Sequence, residues 1–297
     1  MRLREISGSW YLIEDYRDGR KKGTRIVARF GHTRPTLHTP EVLHGDAREV
    51  LRTIAQGSIH LIVTSPPYYQ LKEGAWIGYG DYTGMLDAVW KGCFEVLDHG
   101  CRLCVNVGDE YTSREQYGRH KAIPIHADVI RGAEAVGFDY MGMIIWRKAK
   151  VSRSSGGGSI KGSWASGYPR ESLPEFNHEF ILLFRKPGRP RRSPTEQEKK
   201  ASKMPPRERN AWVDALWAFP GERKTLHPAP FPEELPYRLI RMFSFVGDTV
   251  LDPFMGSGTT PLVAARLARH AVGIDIEGRW CEVAKSRWHS IVGSPVE

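Results

Sequence analysis

The chain has 297 residues, with 43 Lys and Arg against 34 Asp and Glu, for a formal charge of +9. That length buries a substantial core as one large domain or two small ones, and the composition is that of an ordinary globular protein. No run of about 18 apolar residues occurs, and the opening MRLREISGSW has no apolar stretch, which points away from a transmembrane helix or secretory signal and toward a cytoplasmic protein without a membrane partner.

The positive excess is concentrated. Residues 1–40 carry nine basic against four acidic side chains, and residues 186–225 carry eleven against five. Such stretches suit a polyanionic partner and suit solvated loops about equally. Cys93, Cys101, Cys104 and Cys281 are the only cysteines. The lone CxxC lacks the further ligands of a zinc site, which takes about four. These thiols are read as buried groups in a reducing compartment, and no metal is expected.

In chain order, WYLIEDY and TRIVARF read as two strands of a small β element around Asp18-Gly19, a hairpin with a loop longer than two residues. GHTRPTLHTP reads as a linker. LHGDAREVLRTIAQGSI reads as a turn and helix, and HLIVTSPP as a short apolar strand stopped by two prolines. A helix over Met85 to Leu97, a strand in CRLCVNVGDEY, a helix over 124–137 closed by Gly137 and a strand from Tyr140 to Trp146 follow. Residues 147–177 are Gly/Ser/Pro-rich and basic and read as a mobile loop. FILLF is another strand, and a charged, proline-punctuated excursion runs from it to the helix in ELPYRLIRMF. The strand DTVLDPF, helix GTTPLVAARLA, strand AVGIDI and a helix from Arg279 to Val292 close the chain. Strands alternating with helices predict a doubly wound, mostly parallel α/β sheet.

Two motifs carry the chemistry. In DPFMGSGTT (Asp252 to Thr260), Gly256 and Gly258 allow the backbone to approach a ligand closely. Ser257, Thr259 and Thr260 are candidates to cap the following helix, whose N–H groups face the ligand. Asp275 lies 19 residues beyond Gly256, where a doubly wound sheet places a ribose-hydroxyl acceptor. No Lys follows the glycines, which disfavours a phosphate loop. Pro261 replaces the third glycine of a dinucleotide fingerprint, which leaves an adenosine ligand without a pyrophosphate. In TSPPYY (Thr64 to Tyr69), Pro66 and Pro67 stiffen a corner and remove two N–H donors. Its carbonyls are expected to lack their usual partners, Ser65 adds a hydroxyl, and Tyr68 and Tyr69 offer flat faces for a base.

Taken together, the chain resembles the S-adenosylmethionine-dependent DNA amino-methyltransferases. TSPPY resembles their catalytic motif [DNS]-P-P-[YFW], and DPFMGSGTT resembles their FxGxG cofactor motif. The catalytic motif standing first is the permuted order of the β group. HGDAREVL, NVGDEY, HEFILLFRK and HPAPFPEEL resemble further segments of that group, so the likeness covers about residues 42–290. It implies a Rossmann-like, circularly permuted methyltransferase fold with seven strands, S-adenosyl-L-methionine as cofactor, double-stranded DNA as partner, and direct methyl transfer to a flipped base. It implies catalytic roles for Ser65, Pro66, Pro67 and Tyr68. It implies cofactor contacts from Asp46, Asp252, Phe254, Gly256, Ser257, Gly258, Thr259, Asp275, His227 and Pro228.

Within the family, Ser at the first motif position resembles the N4-cytosine branch, with N6-adenine the alternative. Cytosine C5 chemistry would need a Pro-Cys nucleophile, and none of the cysteines follows a proline. The expected division is a β-hairpin extension over 1–40, a catalytic half over 41–186, a basic target-recognition insertion over 187–225 and a cofactor half over 226–297. Candidate DNA contacts are Arg153, Arg189, Arg191, Arg192, Lys199, Lys200, Arg207 and Arg209. A cognate restriction endonuclease, and a monomer or homodimer, are compatible with the resemblance. A catalytically silent DNA-binding homologue is the competing class, and intact motifs argue against it.

Overall fold

The computed structural model describes residues 2–7, 9–18, 21–31, 37–69, 78–112, 117–119, 121–148, 176–222 and 232–292. Three antiparallel strands open the chain: β1 (Arg2–Ile6), β2 (Ser9–Asp18) and β3 (Lys21–Gly31). The expected hairpin is thus one strand short, because β1 pairs along β2 from Arg2↔Ile13 to Ile6↔Ser9. Asp18 pairs with Lys21, so the connection between β2 and β3 is two residues, tighter than expected.

The main body follows as β4 (Glu41–His44), α1 (Ala47–Val50), β5 (Ile59–Thr64), α2 (Tyr79–Val96) and β6 (Leu97–Val107). After them come β7 (Glu110–Tyr111), β8 (Ala122–Ile123), α3 (Ile125–Val136), β9 (Asp139–Lys148) and β10 (His178–Arg185). The excursion after β10 is not loop throughout. It holds α4 (Glu196–Ser202), α5 (Pro206–Trp212) and β11 (Leu216–Phe219). The chain closes with α6 (Glu234–Phe243), β12 (Thr249–Asp252), α7 (Thr259–Arg266), β13 (His270–Asp275) and α8 (Gly278–Val292).

Eight strands form one sheet in the order β11-β9-β10-β6-β5-β12-β13-β4. Every neighbouring pair is parallel except those made by β10. Seven of these strands answer the expected methyltransferase sheet, and β11 extends it at the edge. Apolar residues cover both faces, as a doubly wound sheet requires. One face packs Leu61, Val63 and Val250 against α6 and α7. The other packs Ile62, Leu103 and Leu251 against α2 and α3. Gly137 ends α3 in a left-handed conformation at φ 118°, which L side chains adopt at a cost. Cys101 and Cys104, three apart on β6, pack on opposite faces. Burial pushes both thiols up to about 12. Among the described residues no helix is long and apolar enough to cross a membrane.

Because β10 runs against its neighbours, it carries the chain from the C-terminal end of the parallel strands to their N-terminal end. Lys186 marks that arrival. It is 6% exposed, and its Nζ donates to the carbonyls of Phe94 at 2.6 Å and Leu97 at 2.8 Å, satisfying groups left open at the C-terminus of α2. Burial lowers its pKa. Lys186→Met should cost about 1.5–3 kcal/mol, the range for hydrogen bonds to a charged group, read as a lower urea midpoint.

Candidate active site

The two motifs, far apart in sequence, converge at the C-terminal ends of β5, β12 and β13. Thr64, the last residue of β5, donates its hydroxyl to Asp252 Oδ1 at 2.6 Å across 188 positions of chain. Asp252 is the last residue of β12 and is fully buried. Its Oδ1 also accepts the Phe254 N–H at 3.0 Å. One carboxylate therefore ties the TSPPYY corner to the glycine loop. Among the described residues its Oδ2 and the buried Thr260 hydroxyl have no hydrogen bond of good geometry.

Burial, partly opposed by the Thr64 hydrogen bond, pushes the Asp252 carboxyl up to about 6 from 3.8. The folded state thus binds this proton more tightly than the unfolded chain does. The group's contribution to stability is complete below about pH 3.8 and is lost as pH rises through about 6. Asp252→Asn, which cannot ionise, should be more stable than wild type above pH 6 by up to about 3 kcal/mol. The gap should close near pH 4, as urea midpoints at pH 8 and pH 4 would show.

Beyond Asp252 the glycine loop turns with Gly256 at φ 51° and Gly258 at φ 82°. Sequence reasoning offered Ser257, Thr259 and Thr260 as caps of α7. The cap is instead Gly258 itself, with no side-chain cap hydrogen bond. The Ser257 hydroxyl and carbonyl are engaged by Arg287 Nη1, at 3.1 and 2.7 Å. The start of α7 is thus left without a capping side chain, in a form suited to a ligand.

Asp275, ending β13, accepts the Gly256 N–H at 2.9 Å and the Glu277 N–H at 2.8 Å. It braces the loop as well as standing where a ribose acceptor was expected. Asp46 caps α1 and binds Arg48, with a shortest contact of 2.5 Å, and that partner lowers its pKa. The Gly45 N–H donates to the Asp275 carbonyl at 2.9 Å, so Asp46 and Asp275 flank the same crevice. Phe254 packs at the edge of the α2-side core. His227 and Pro228 lie outside the described residues.

In the corner itself, the Pro67 carbonyl accepts the Tyr82 hydroxyl at 3.0 Å, so not every carbonyl there is left open. The Pro66 carbonyl and the Ser65 hydroxyl make no hydrogen bond among the described residues, and Ser65 is only half-buried. Tyr69 is not a base platform. It is 6% exposed, bonds Tyr117 at 2.6 Å and packs edge-on to Tyr79. Its N–H donates to Glu110 Oε1 at 2.9 Å, holding the corner in place. Tyr68 is half-buried, and its hydroxyl donates to Glu179. Burial first, then the Glu179 charge, pushes this phenol well above its usual pKa and keeps it neutral.

The expected DNA contacts fare differently. Arg191 binds the Gln56 carbonyl and Asp98, and Arg192 pairs with Asp248 and Glu198. Gln56, Asp98 and Asp248 sit at the starts of β5, β6 and β12, at the opposite end of the sheet from the TSPPYY corner, and Glu198 lies on α4. The six residues of β5 separate the two ends, a distance of roughly 20 Å at strand rise. Arg189, Lys199 and Lys200 belong to the same stretch, and Ser202 beside them accepts the Val246 N–H at 2.8 Å. Arg207 and Arg209 lie on α5, whose Glu208 pairs with Arg241 of α6. The expectation is therefore corrected for the first part of this insertion: β10 delivers Arg189, Arg191, Arg192, Lys199 and Lys200 to the N-terminal end of the parallel strands, and β11, with Phe219 paired to Lys148, brings the chain back toward the C-terminal end. Arg153 lies outside the described residues.

Sequence reasoning placed Thr64 in the motif and Lys148 in a basic loop, but missed the tie of Thr64 to Asp252 and the roles of Asn106 and Glu179. The available signal for Glu179 was an acid at the head of the apolar strand HEFILLFR, where its burial to 4% demands partners.

A family model for DNA methylase matches residues 59–286. The Type II methyltransferase M.MjaI of Methanocaldococcus jannaschii is 33% identical over 276 residues, covering 80% of this chain and 87% of its own. A Thermus thermophilus protein, TTHA0409, provisionally described as a DNA modification methylase, was solved with S-adenosyl-L-methionine. It superposes at a TM-score of 0.72 with 38% identity, over 86% of this chain and 96% of that one. The cytosine-N4-specific PvuII DNA methyltransferase superposes at 0.61 with 20% identity, over 88% and 94%, a likeness of fold.

Proposed function

Because this chain belongs to the DNA methylase family and is an S-adenosyl-L-methionine-dependent Type II DNA amino-methyltransferase, we propose that its target is the exocyclic N4 of cytosine in double-stranded DNA. The observation that carries this reading is the Ser65 hydroxyl, without a hydrogen bond among the described residues, at the head of the Ser65–Tyr68 corner, which is joined through Thr64 and Asp252 to the cofactor loop. Ser stands where the N6-adenine branch usually has Asp or Asn. A hydroxyl both accepts and donates, so Ser65 can take a hydrogen from the amino group while donating to the adjacent ring nitrogen.

The residues present fit the cofactor. A helix start without a capping side chain, two left-handed glycines and the carboxylates of Asp46 and Asp275 make an anion-tolerant, hydroxyl-accepting crevice. When bound there, S-adenosyl-L-methionine supplies an electrophilic methyl group. An aromatic amine is a poor nucleophile because its lone pair is conjugated with the ring. The Pro66 carbonyl and Ser65 hydroxyl accept its N–H groups, and these bonds strengthen as positive charge develops on nitrogen. In that transfer the nitrogen lone pair would form the new bond to carbon as the methyl–sulfur bond breaks and its electron pair stays on sulfur, and the N–H proton would leave to water. Tyr68 offers a face against which the extruded base stacks, offsetting an unstacking cost of a few kcal/mol.

The duplex approaches the C-terminal ends of the strands. Target contacts are accordingly proposed for residues bordering that end, Arg147 and Lys148 among them, rather than for Arg191 and Arg192. Expression in a host without DNA methylation, followed by sequencing that reads modified bases, tests the base assignment. N4-methylcytosine at one short sequence is expected, and N6-methyladenine would overturn it.

A further inference from the structure

Glu179 is a buried acid with more donors around it than a fold requires. Its Oε1 accepts both the Tyr68 hydroxyl and Lys148 Nζ, and its Oε2 accepts Asn106 Nδ2 at 2.7 Å. The acid and its donors come from four places at the catalytic end: the corner after β5, the end of β6, the end of β9 and the start of β10. The register sets the arrangement. Phe180 pairs with Val107 and His178 with Arg147, so Glu179 falls between the ends of β6 and β9.

The chemistry fixes directions as well. A carboxylate only accepts, so Asn106 must turn its amide nitrogen to Glu179. Its Oδ1 is then left buried without a partner, one step past the Thr64↔Val105 pair and therefore beside Ser65. Lys148 is 40% exposed. It spans the gap to solvent, its ammonium 5.3 Å from the centre of the Trp146 ring. Gly108 allows this packing, since a Cβ there would stand 3.2 Å from Glu179 Cγ and 3.7 Å from Tyr68 Cε1.

Among the described residues the hydrogen bonds of Glu179 run to Tyr68, Asn106 and Lys148, and none of them reaches Asp46, Gly256 or Asp275. We propose that Glu179 is the positioning residue of the target-base pocket, holding the Tyr68 ring, the Asn106 acceptor and the Lys148 ammonium in the geometry that methyl transfer needs. This role rests on the methyltransferase function proposed for the chain. A free Tyr68 ring would rotate about its side-chain bonds and lose the stacking plane. Displacement of a reacting group by about 1 Å costs on the order of 100-fold in rate.

The test measures transfer of tritiated methyl groups to unmodified bacterial genomic DNA, with S-adenosylhomocysteine affinity measured by calorimetry on the same preparations. Glu179→Met keeps an unbranched side chain of similar length and removes both carboxylate oxygens. It should lower kcat roughly 100-fold while S-adenosylhomocysteine affinity stays within about twofold. Tyr68→Phe should lower kcat roughly 10-fold in the wild-type background and have no further effect in Glu179→Met, because the hydroxyl's partner is already gone. Glu179→Gln, which retains an acceptor for the phenol, should recover part of the loss.

Wild-type kcat in Glu179→Met overturns the proposal. So do rate losses that multiply in the double variant, or that fall in step with S-adenosylhomocysteine affinity, the signature of general loosening. Failure of the wild-type protein to methylate any DNA would instead sink the functional reading, and this inference with it.

Discussion

Ser65→Ala should lower the methylation rate about 100- to 1,000-fold, the range seen when one hydrogen-bonding group aimed at developing charge is removed. S-adenosyl-L-methionine binding should be unchanged. Ser65 follows Thr64, whose hydroxyl is committed to Asp252, so the backbone of the corner stays anchored when the Ser65 side chain is cut back. Tyr69 is held separately through its N–H to Glu110 and its hydroxyl to Tyr117. The deletion therefore removes one polar group from an otherwise fixed scaffold. Single-turnover transfer isolates the chemical step. A loss confined to KM for DNA would show that Ser65 binds the base without favouring the transition state.

Gly258→Ala should disable the protein by the opposite route, through the cofactor loop. Gly258 has φ 82°, and a Cβ there would stand 2.6 Å from Ala284 Cβ and 3.3 Å from Ala284 Cα on α8. The left-handed backbone costs a non-glycine residue about 1–2 kcal/mol. The overlap with α8 adds about 1–3 kcal/mol of overpacking, and neither atom belongs to a flexible side chain that can step aside. Relief requires α7 and α8 to separate or the loop to unwind, and each moves the N–H groups proposed to face the cofactor. The expected result is a melting temperature lower by several degrees, together with a clearly weaker calorimetric affinity for S-adenosylhomocysteine, about tenfold for each 1.4 kcal/mol of lost binding. Wild-type affinity in a folded Gly258→Ala protein would show that this loop does not hold the cofactor.

Much of this site was legible in the chain itself. A strand, two glycines, a helix, a second strand and a terminal acid in register predicted the loop from Asp252 to Asp275, and those elements stand where the pattern placed them. The two prolines marked the end of β5 at Thr64. What was not legible depends on three-dimensional direction. Thr64 and Asp252 are 188 residues apart, and nothing in either segment announces the other. β4 is only four residues long, too short for an apolar alternation to register. The basic run after β10 drew attention by charge alone. One antiparallel strand sends it to the far end of the sheet, where Arg191 and Arg192 brace the starts of β5, β6 and β12. Charge counted along a chain carries no information about which end of a sheet a connection crosses. Tyr69 looked equivalent to Tyr68 for a related reason. Adjacent side chains in an extended corner point in different directions, one toward Glu179 and one into the core.

Where the transferred methyl group ends is the most direct test of this site. Unmodified DNA incubated with the protein and isotopically labelled S-adenosyl-L-methionine, then digested to nucleosides and read by mass spectrometry, supplies the answer. Label on the exocyclic nitrogen, as N4-methylcytosine, is the predicted result, and label on N6 of adenine would keep the site and change the base. Label at carbon 5 of cytosine, or no label in any nucleoside, would contradict a site built from Ser65, Pro66 and Tyr68 to act on an amine.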